Sequence, residues 1–186
     1  MAAFVACQTD VAGLILLEAM IGDRAFTKNA AAQAGPLATR LGLPVAGFDT
    51  YLSEWRARRG RYSDEAERLV DRWARFALAP LPGGAYRERA LRVAVEAEWA
   101  SIIAADSIGA LARVTCPVMI VRALKPWLGG RPYFSSSIVE AQLRAAPHAV
   151  VFVAEHSDHA TIIRDPDRGL IEALVSFIGK SAGDSS

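Results

Sequence analysis

Three short apolar runs punctuate the chain: residues 11–17 (VAGLILL), 117–121 (PVMIV) and 149–154 (AVVFVA). Runs of this length, rich in β-branched residues and bounded by turn formers, read as buried strands. They predict strands near residues 11–17, 115–122 and 149–154. Between the first two the period changes to that of helices. Phe48, Tyr51, Leu52 and Trp55 share one face of a helix that reaches Arg59. Ser63 is the N-cap of the next helix, whose stripe is Leu69, Val70, Trp73, Phe76 and Ala77. Pro80, Pro82, Gly83 and Gly84 stop it. A third helix is expected from about Tyr86, with Leu91, Val95, Trp99 and Ile102 inward.

After the second strand, Ser135 to Ser137 open a helix carrying Ile138, Val139, Gln142, Leu143 and Ala146. Residues 117–154 thus read strand, helix, strand, a crossover that should be right-handed and parallel. The last helix is expected to be capped by Asp165, with Pro166 at its first position, and to end at Gly179. Its apolar stripe is Leu170, Ile171, Leu174, Val175 and Ile178. The opening residues 1–7 are helix-compatible, and residues 22–47 are a Gly-, Ala- and Pro-rich connection with at most one short helix. The class expected is α/β.

Charge narrows the functions. Twenty-one Lys and Arg stand against 20 Asp and Glu, a net charge of +1, so no general attraction to nucleic acid or to an anionic membrane is expected. Arg56, Arg58, Arg59 and Arg61 form the strongest basic cluster. They read as a solvated helix end beside the C-terminal dipole, with phosphate or nucleic-acid binding as the alternative. The two cysteines, Cys7 and Cys116, lack metal-ligand spacing and suit a reducing compartment. No stretch has the length and apolarity of a transmembrane helix, and the start lacks the basic region of a signal peptide. A cytoplasmic protein without metal or cofactor is expected.

Candidate chemistry gathers after the third run. In a parallel sheet, reactive groups collect just beyond the carboxyl ends of the strands. His159 follows residues 149–154 across the turn Glu155-His156-Ser157-Asp158, while His148 precedes the strand at its opposite end. His159 is therefore the candidate general base; the alternative is a loop histidine with no chemistry. Glu18 ends the first run in the same way, and the alternative there is a solvated carboxylate.

This order of elements resembles the second half of an α/β-hydrolase. In that family a strand leads into an inserted helical cap, and a strand-helix-strand unit then delivers the catalytic histidine to a loop before the final helix. The segments Arg122-Ala123-Leu124 and Ser157-Asp158-His159-Ala160-Thr161-Ile162-Ile163 look most like bacterial family members. The resemblance implies the C-terminal portion of the fold, a three-stranded parallel sheet with an inserted cap. Residues 1–22 and 113–180 would be the core, 23–112 the cap and 181–186 a polar tail. It makes His159 the catalytic base. The usual family position for the acid, after the strand at residues 117–121, has no Asp or Glu before Glu140. A less common position is the end of the preceding strand, which makes Glu18 the expected acid and Asp23 the second choice. Asp158 is expected to be structural.

The family's G-x-S-x-G nucleophile elbow should come before the first strand, and it is absent there. The residues Met1-Ala2-Ala3-Phe4-Val5-Ala6 look like those directly after the elbow serine, so the resemblance implies an N-terminally truncated hydrolase lacking its nucleophile. Cys7, Cys116 and Ser135 to Ser137 do not occupy settings that would replace it. The implied activity is hydrolysis of an ester, amide or related small molecule, weak or absent in this chain alone. The alternative is a non-catalytic binding or interaction protein of hydrolase ancestry. Residues 11–17 would leave an open apolar edge that invites self-association.

Overall fold

The structure, a computed structural model, describes residues 2–19, 21, 22, 28, 39–59, 62–126 and 132–183. Most of the expected connection at 22–47, the loop glycines Gly129 and Gly130, and residues 184–186 lie outside the described residues. In chain order the elements are α1 (Ala2–Ala6), β1 (Leu14–Leu17), α2 (Phe48–Arg59), α3 (Asp64–Ala77), β2 (Leu78–Pro80), β3 (Tyr86–Glu88), α4 (Arg92–Ala104), α5 (Ser107–Ala112), β4 (Val118–Ala123), α6 (Ser136–Ala145), β5 (Val150–Ala154), α7 (Thr161–Arg164) and α8 (Arg168–Gly183). They divide into two compact units, Met1–Thr27 with Asp106–Ser186, and Lys28–Ala105.

The first unit holds the α/β core. Its sheet has the order β1-β4-β5, and both pairings are parallel. Leu14 pairs with Val118 and Leu17 with Val121, while Met119 pairs with Val150 and Ala123 with Ala154. The first strand starts at Leu14, three residues later than the apolar run suggests. Pro117 explains this: it has no N–H to give to a ladder, so pairing opens with its carbonyl, which accepts from the Leu14 amide at 2.9 Å. The preceding Gly13 instead packs closely on α8. A β-carbon placed there would lie 3.0 Å from Ser181 Oγ and 3.2 Å from the Phe177 ring.

Alternation along the strands builds a core on each face of the sheet. Val118 and Ile120 of β4 join Leu14, Leu16, Ala110, Leu111 and Ala146 on one face. Met119, Val121 and Ala123 join Ala154, Ile162 and Leu170 on the other. Burying one such Leu or Ile fully contributes about 1.5–3 kcal/mol.

The final helix differs from expectation at both ends. Asp167, not Asp165, is its cap: Asp167 Oδ1 accepts the Leu170 amide at 2.8 Å. The helix runs through Gly179 to Gly183, because nothing there turns the backbone left-handed. Ser181, expected in a polar tail, is buried and donates to the Phe177 carbonyl at 3.0 Å. Leu170, Ala173, Leu174 and Phe177 face the sheet, whereas Ile171, Val175 and Ile178 are exposed. The apolar stripe is wider than the face that packing uses.

In the second unit α2 buries Tyr51, Leu52 and Trp55 as its spacing predicts. Trp55 packs on Tyr62 and Trp73, with ring centroids 5.6 and 6.0 Å apart. Ser63 caps α3, its side chain accepting from the Ala66 amide. The buried ridge of α3 is Ala66, Val70 and Ala74, an i, i+4 row; Leu69 and Phe76 are exposed. Arg56 of the basic cluster is engaged internally, 2.6 Å from Glu67 and 3.0 Å from Asp71. The helix expected from Tyr86 starts only at Arg92. Residues Tyr86–Glu88 are instead a strand, antiparallel to Leu78–Pro80. Gly83 and Gly84 both adopt φ of +82°, a conformation cheap only for glycine, and this closes the hairpin. On α4 the inward face is only half-buried at Val95, Trp99 and Ile102, and Leu91 is exposed.

Candidate active site

Glu18 is the first residue beyond β1. Its amide still donates to the Val121 carbonyl at 3.0 Å, extending the ladder by one bond. Its φ is +44°, the only left-handed non-glycine residue among those described. A side chain in that region costs roughly 1–2 kcal/mol, and such strain collects where the surrounding structure holds a residue in place. Here the hold is visible. Oε1 accepts the Ala123 amide at 2.8 Å, and Oε2 lies 3.3 Å from His159 Nδ1. The Glu18 side chain is fully shielded from solvent, while that of His159 remains 27% exposed. A buried carboxylate needs such partners, since an unpaired one is costly.

The His159 loop is sewn to the end of β4. The amide of Leu124 donates to the Ala154 carbonyl at 3.2 Å, and that of Lys125 to the Ser157 carbonyl at 3.0 Å. Asp158 closes the turn into α7. Its Oδ1 accepts the amides of Ala160 at 2.7 Å and Thr161 at 2.8 Å, and Thr161 Oγ1 accepts the Asp158 amide at 2.7 Å. These bonds occupy Asp158 in shaping the loop, the structural part expected of it.

Tyr133 completes the surroundings. Its ring lies 3.9 Å from that of His159, centroid to centroid, with 34° between the planes. Phe134, almost wholly buried, supports it at 5.0 Å. Burial pushes the Tyr133 phenol above its ordinary range, and the charge of Glu18 pushes in the same direction. Nothing in the local sequence singles out Tyr133. Only its position before α6 in the strand-helix-strand unit hints that it lies near the strand ends.

The other candidates fall elsewhere. His148 lies at the opposite end of β5, its Nε2 3.0 Å from the Cys116 carbonyl. Burial pushes the Cys116 thiol up, away from a reactive thiolate. The Ser157 side chain is buried within the loop. Ser135 and Ser137 share a hydrogen bond at the exposed start of α6. Asp23 lies outside the described residues. Among the described residues, no three His, Cys, Asp or Glu side chains converge as metal ligands, and no helix is long and apolar enough to cross a membrane.

The arrangement orients a base. A carboxylate can only accept, so its bond with His159 places the imidazole proton on Nδ1 and makes Nε2 the basic nitrogen of the ring. The three-stranded parallel sheet with its packed helices is part of the α/β-hydrolase fold. Two solved structures carry the same fold. An E-2-(acetamidomethylene)succinate hydrolase superposes with a TM-score of 0.70 at 20% identity, over 95% of this chain and 62% of that one. An esterase of M. tuberculosis superposes at 0.65 and 19% identity, over 96% of this chain and 58% of its own. This chain therefore spans about six tenths of the length of the hydrolases it matches. No family model matches the sequence, and no curated protein sequence does.

Proposed function

We propose that Glu18 and His159 are the acid and base of a hydrolase of the α/β-hydrolase type, acting on an ester, amide or related small molecule. The observation that carries the reading is the Glu18 carboxylate, shielded from water, anchored by the Ala123 amide and turned on His159 Nδ1. In such a triad Nε2 takes the proton of a serine hydroxyl and later returns it to the leaving group. The carboxylate holds the tautomer and stabilises the imidazolium. The G-x-S-x-G pattern occurs at Gly179-Lys180-Ser181-Ala182-Gly183, inside α8, and not before the first strand where a nucleophile elbow belongs, so in this reading the serine is not among the 186 residues. The chain by itself is then a poor catalyst. Residues 23–112 act as the cap of the enzyme, and Cys7 and Cys116, which form no disulfide, suit the reducing cytoplasm. The sheet edges also favour self-association: β1 and β5 are the outer strands, and Val150, Val151 and Val153 of β5 are exposed.

The test compares purified residues 1–186 with a version extended upstream in its reading frame, using an activated aryl ester and a size measurement. The extended version should turn the ester over. Glu18→Gln should then lower kcat on the order of 10⁴-fold, as neutralising the triad acid does elsewhere, and His159→Ala should lower it at least as far. Ester turnover by the short chain that depends on His159 would place the nucleophile inside it and overturn the reading of the missing serine. An extended version that is folded and inactive would leave a ligand-binding protein of hydrolase ancestry.

A further inference from the structure

We propose that Tyr133 is a positioning residue for His159: its ring face fixes the plane of the imidazole so that Nδ1 meets Glu18 and Nε2 faces the reacting group. The inference rests on the reading of His159 as the base.

The hydrogen bond to Glu18 is a long one. Charge-assisted bonds of this kind run near 2.7–2.9 Å, and the Glu18 to His159 distance is 3.3 Å. The terminal torsion of histidine is broad and two-fold, so the bond to Glu18 fixes where Nδ1 lies more than the plane of the ring. The Tyr133 ring at 3.9 Å restricts that plane. Rotating the imidazole out of its plane would drive an edge into the phenol. Tyr133 is itself held, since Phe134 beside it is anchored in the interior. The stack also suits the chemistry. When His159 takes a proton, its positive charge develops against a ring face, which attracts cations.

The hydroxyl stays protonated because of burial and the adjacent carboxylate, so Tyr133 adds no second anion beside Glu18. Asp158, the other acid beside His159, is turned to the Ala160 and Thr161 amides.

The test uses residues 1–186 with ¹⁵N-labelled histidine, the His159 signals being assigned by their loss in His159→Gln. The expected result is an upfield ring-current shift of the His159 ring protons and a dominant Nδ1–H tautomer. Tyr133→Leu should abolish the shift and mix the tautomers, and Tyr133→Phe should keep both. A Tyr133→Leu chain that retains the Nδ1–H tautomer would show that Glu18 alone sets the ring and would overturn the proposal. So would a folded Tyr133→Phe chain that loses it, which also covers the case in which the Leu variant does not fold. In the extended, active version Tyr133→Leu should lower kcat about 10²-fold, the loss that accompanies a slight misplacement, with KM unchanged. Absence of any ester turnover would remove the hydrolase reading and leave the spectroscopic result standing.

Discussion

Glu18 Oε1 accepts the backbone N–H of Ala123 at 2.8 Å, so the carboxylate that faces His159 is tied first to the end of the central strand. The bond spans 105 residues and joins β1 to β4 beyond the last ladder pair. It also keeps Glu18 at a φ of +44°.

Glu18→Ala should therefore destabilise the fold by roughly 1–3 kcal/mol, because it strands the buried Ala123 amide. Glu18→Gln keeps an oxygen for that amide and should cost less, even though it disables the proposed acid. Urea denaturation followed by circular dichroism measures both. Equal stabilities for Glu18→Ala and the parent would mean that the Ala123 bond contributes nothing.

Alkaline pH should weaken the fold through Tyr133. Its phenol is raised above the ordinary 10.0 by burial first and by the charge of Glu18 second. The unfolded chain releases this proton near pH 10 while the folded chain keeps it. Its contribution is thus complete below pH 10 and is lost as pH climbs through the raised folded value. Tyr133→Phe should lose less stability than the parent above pH 10. Glu18→Gln should lower the pH at which Tyr133 ionises, read from tyrosinate absorbance. Parallel stability profiles for parent and Tyr133→Phe would contradict this.

Gln142 secures the turn behind Glu18. It is buried on α6, and its Nε2 donates to the Ile21 carbonyl at 2.7 Å and reaches that of Ala19 at 3.4 Å. Gln142→Leu has a similar shape but leaves both carbonyls without this donor. A loss of roughly 1–3 kcal/mol is expected. Hydrogen exchange at the Ile21 amide, which closes the turn onto Ala19, should speed up in the variant. Unchanged exchange there would rule out Gln142 as the anchor of the turn.

Two helical glycines should respond in opposite directions. A β-carbon at Gly109 would fall on the Asp106 carboxylate, which caps α5 by accepting the Gly109 amide at 2.9 Å. Displacing that cap costs about 0.5–2 kcal/mol, against a gain of about 1 kcal/mol for Ala over Gly in a helix. The clash should prevail, so Gly109→Ala lowers the melting temperature. Gly179 lies inside α8 with nothing near a built β-carbon, so Gly179→Ala should stabilise by roughly 0.5–1 kcal/mol. A destabilised Gly179→Ala chain would argue that the helix does end there.

Much of the architecture was legible because burial writes a local record. The runs at 11–17, 117–121 and 149–154 had to become strands, since short β-branched stretches bury best on a pleated surface. The helix between the last two had to return the chain in parallel. His159 beyond the third run followed from the same pattern. The pairing of Glu18 with His159, 141 residues apart, was expected only through resemblance, because no local period records a contact at that distance. Tertiary structure alone decided the rest. Pro117 moved the start of β1, packing chose one side of the α8 stripe, and Gly83 and Gly84 turned a helix stop into a hairpin. Tyr133 came to lie on His159 although neither residue marks the other in sequence. A stack depends on where two loops end in space, and the sheet settles that position, not the residues beside each ring.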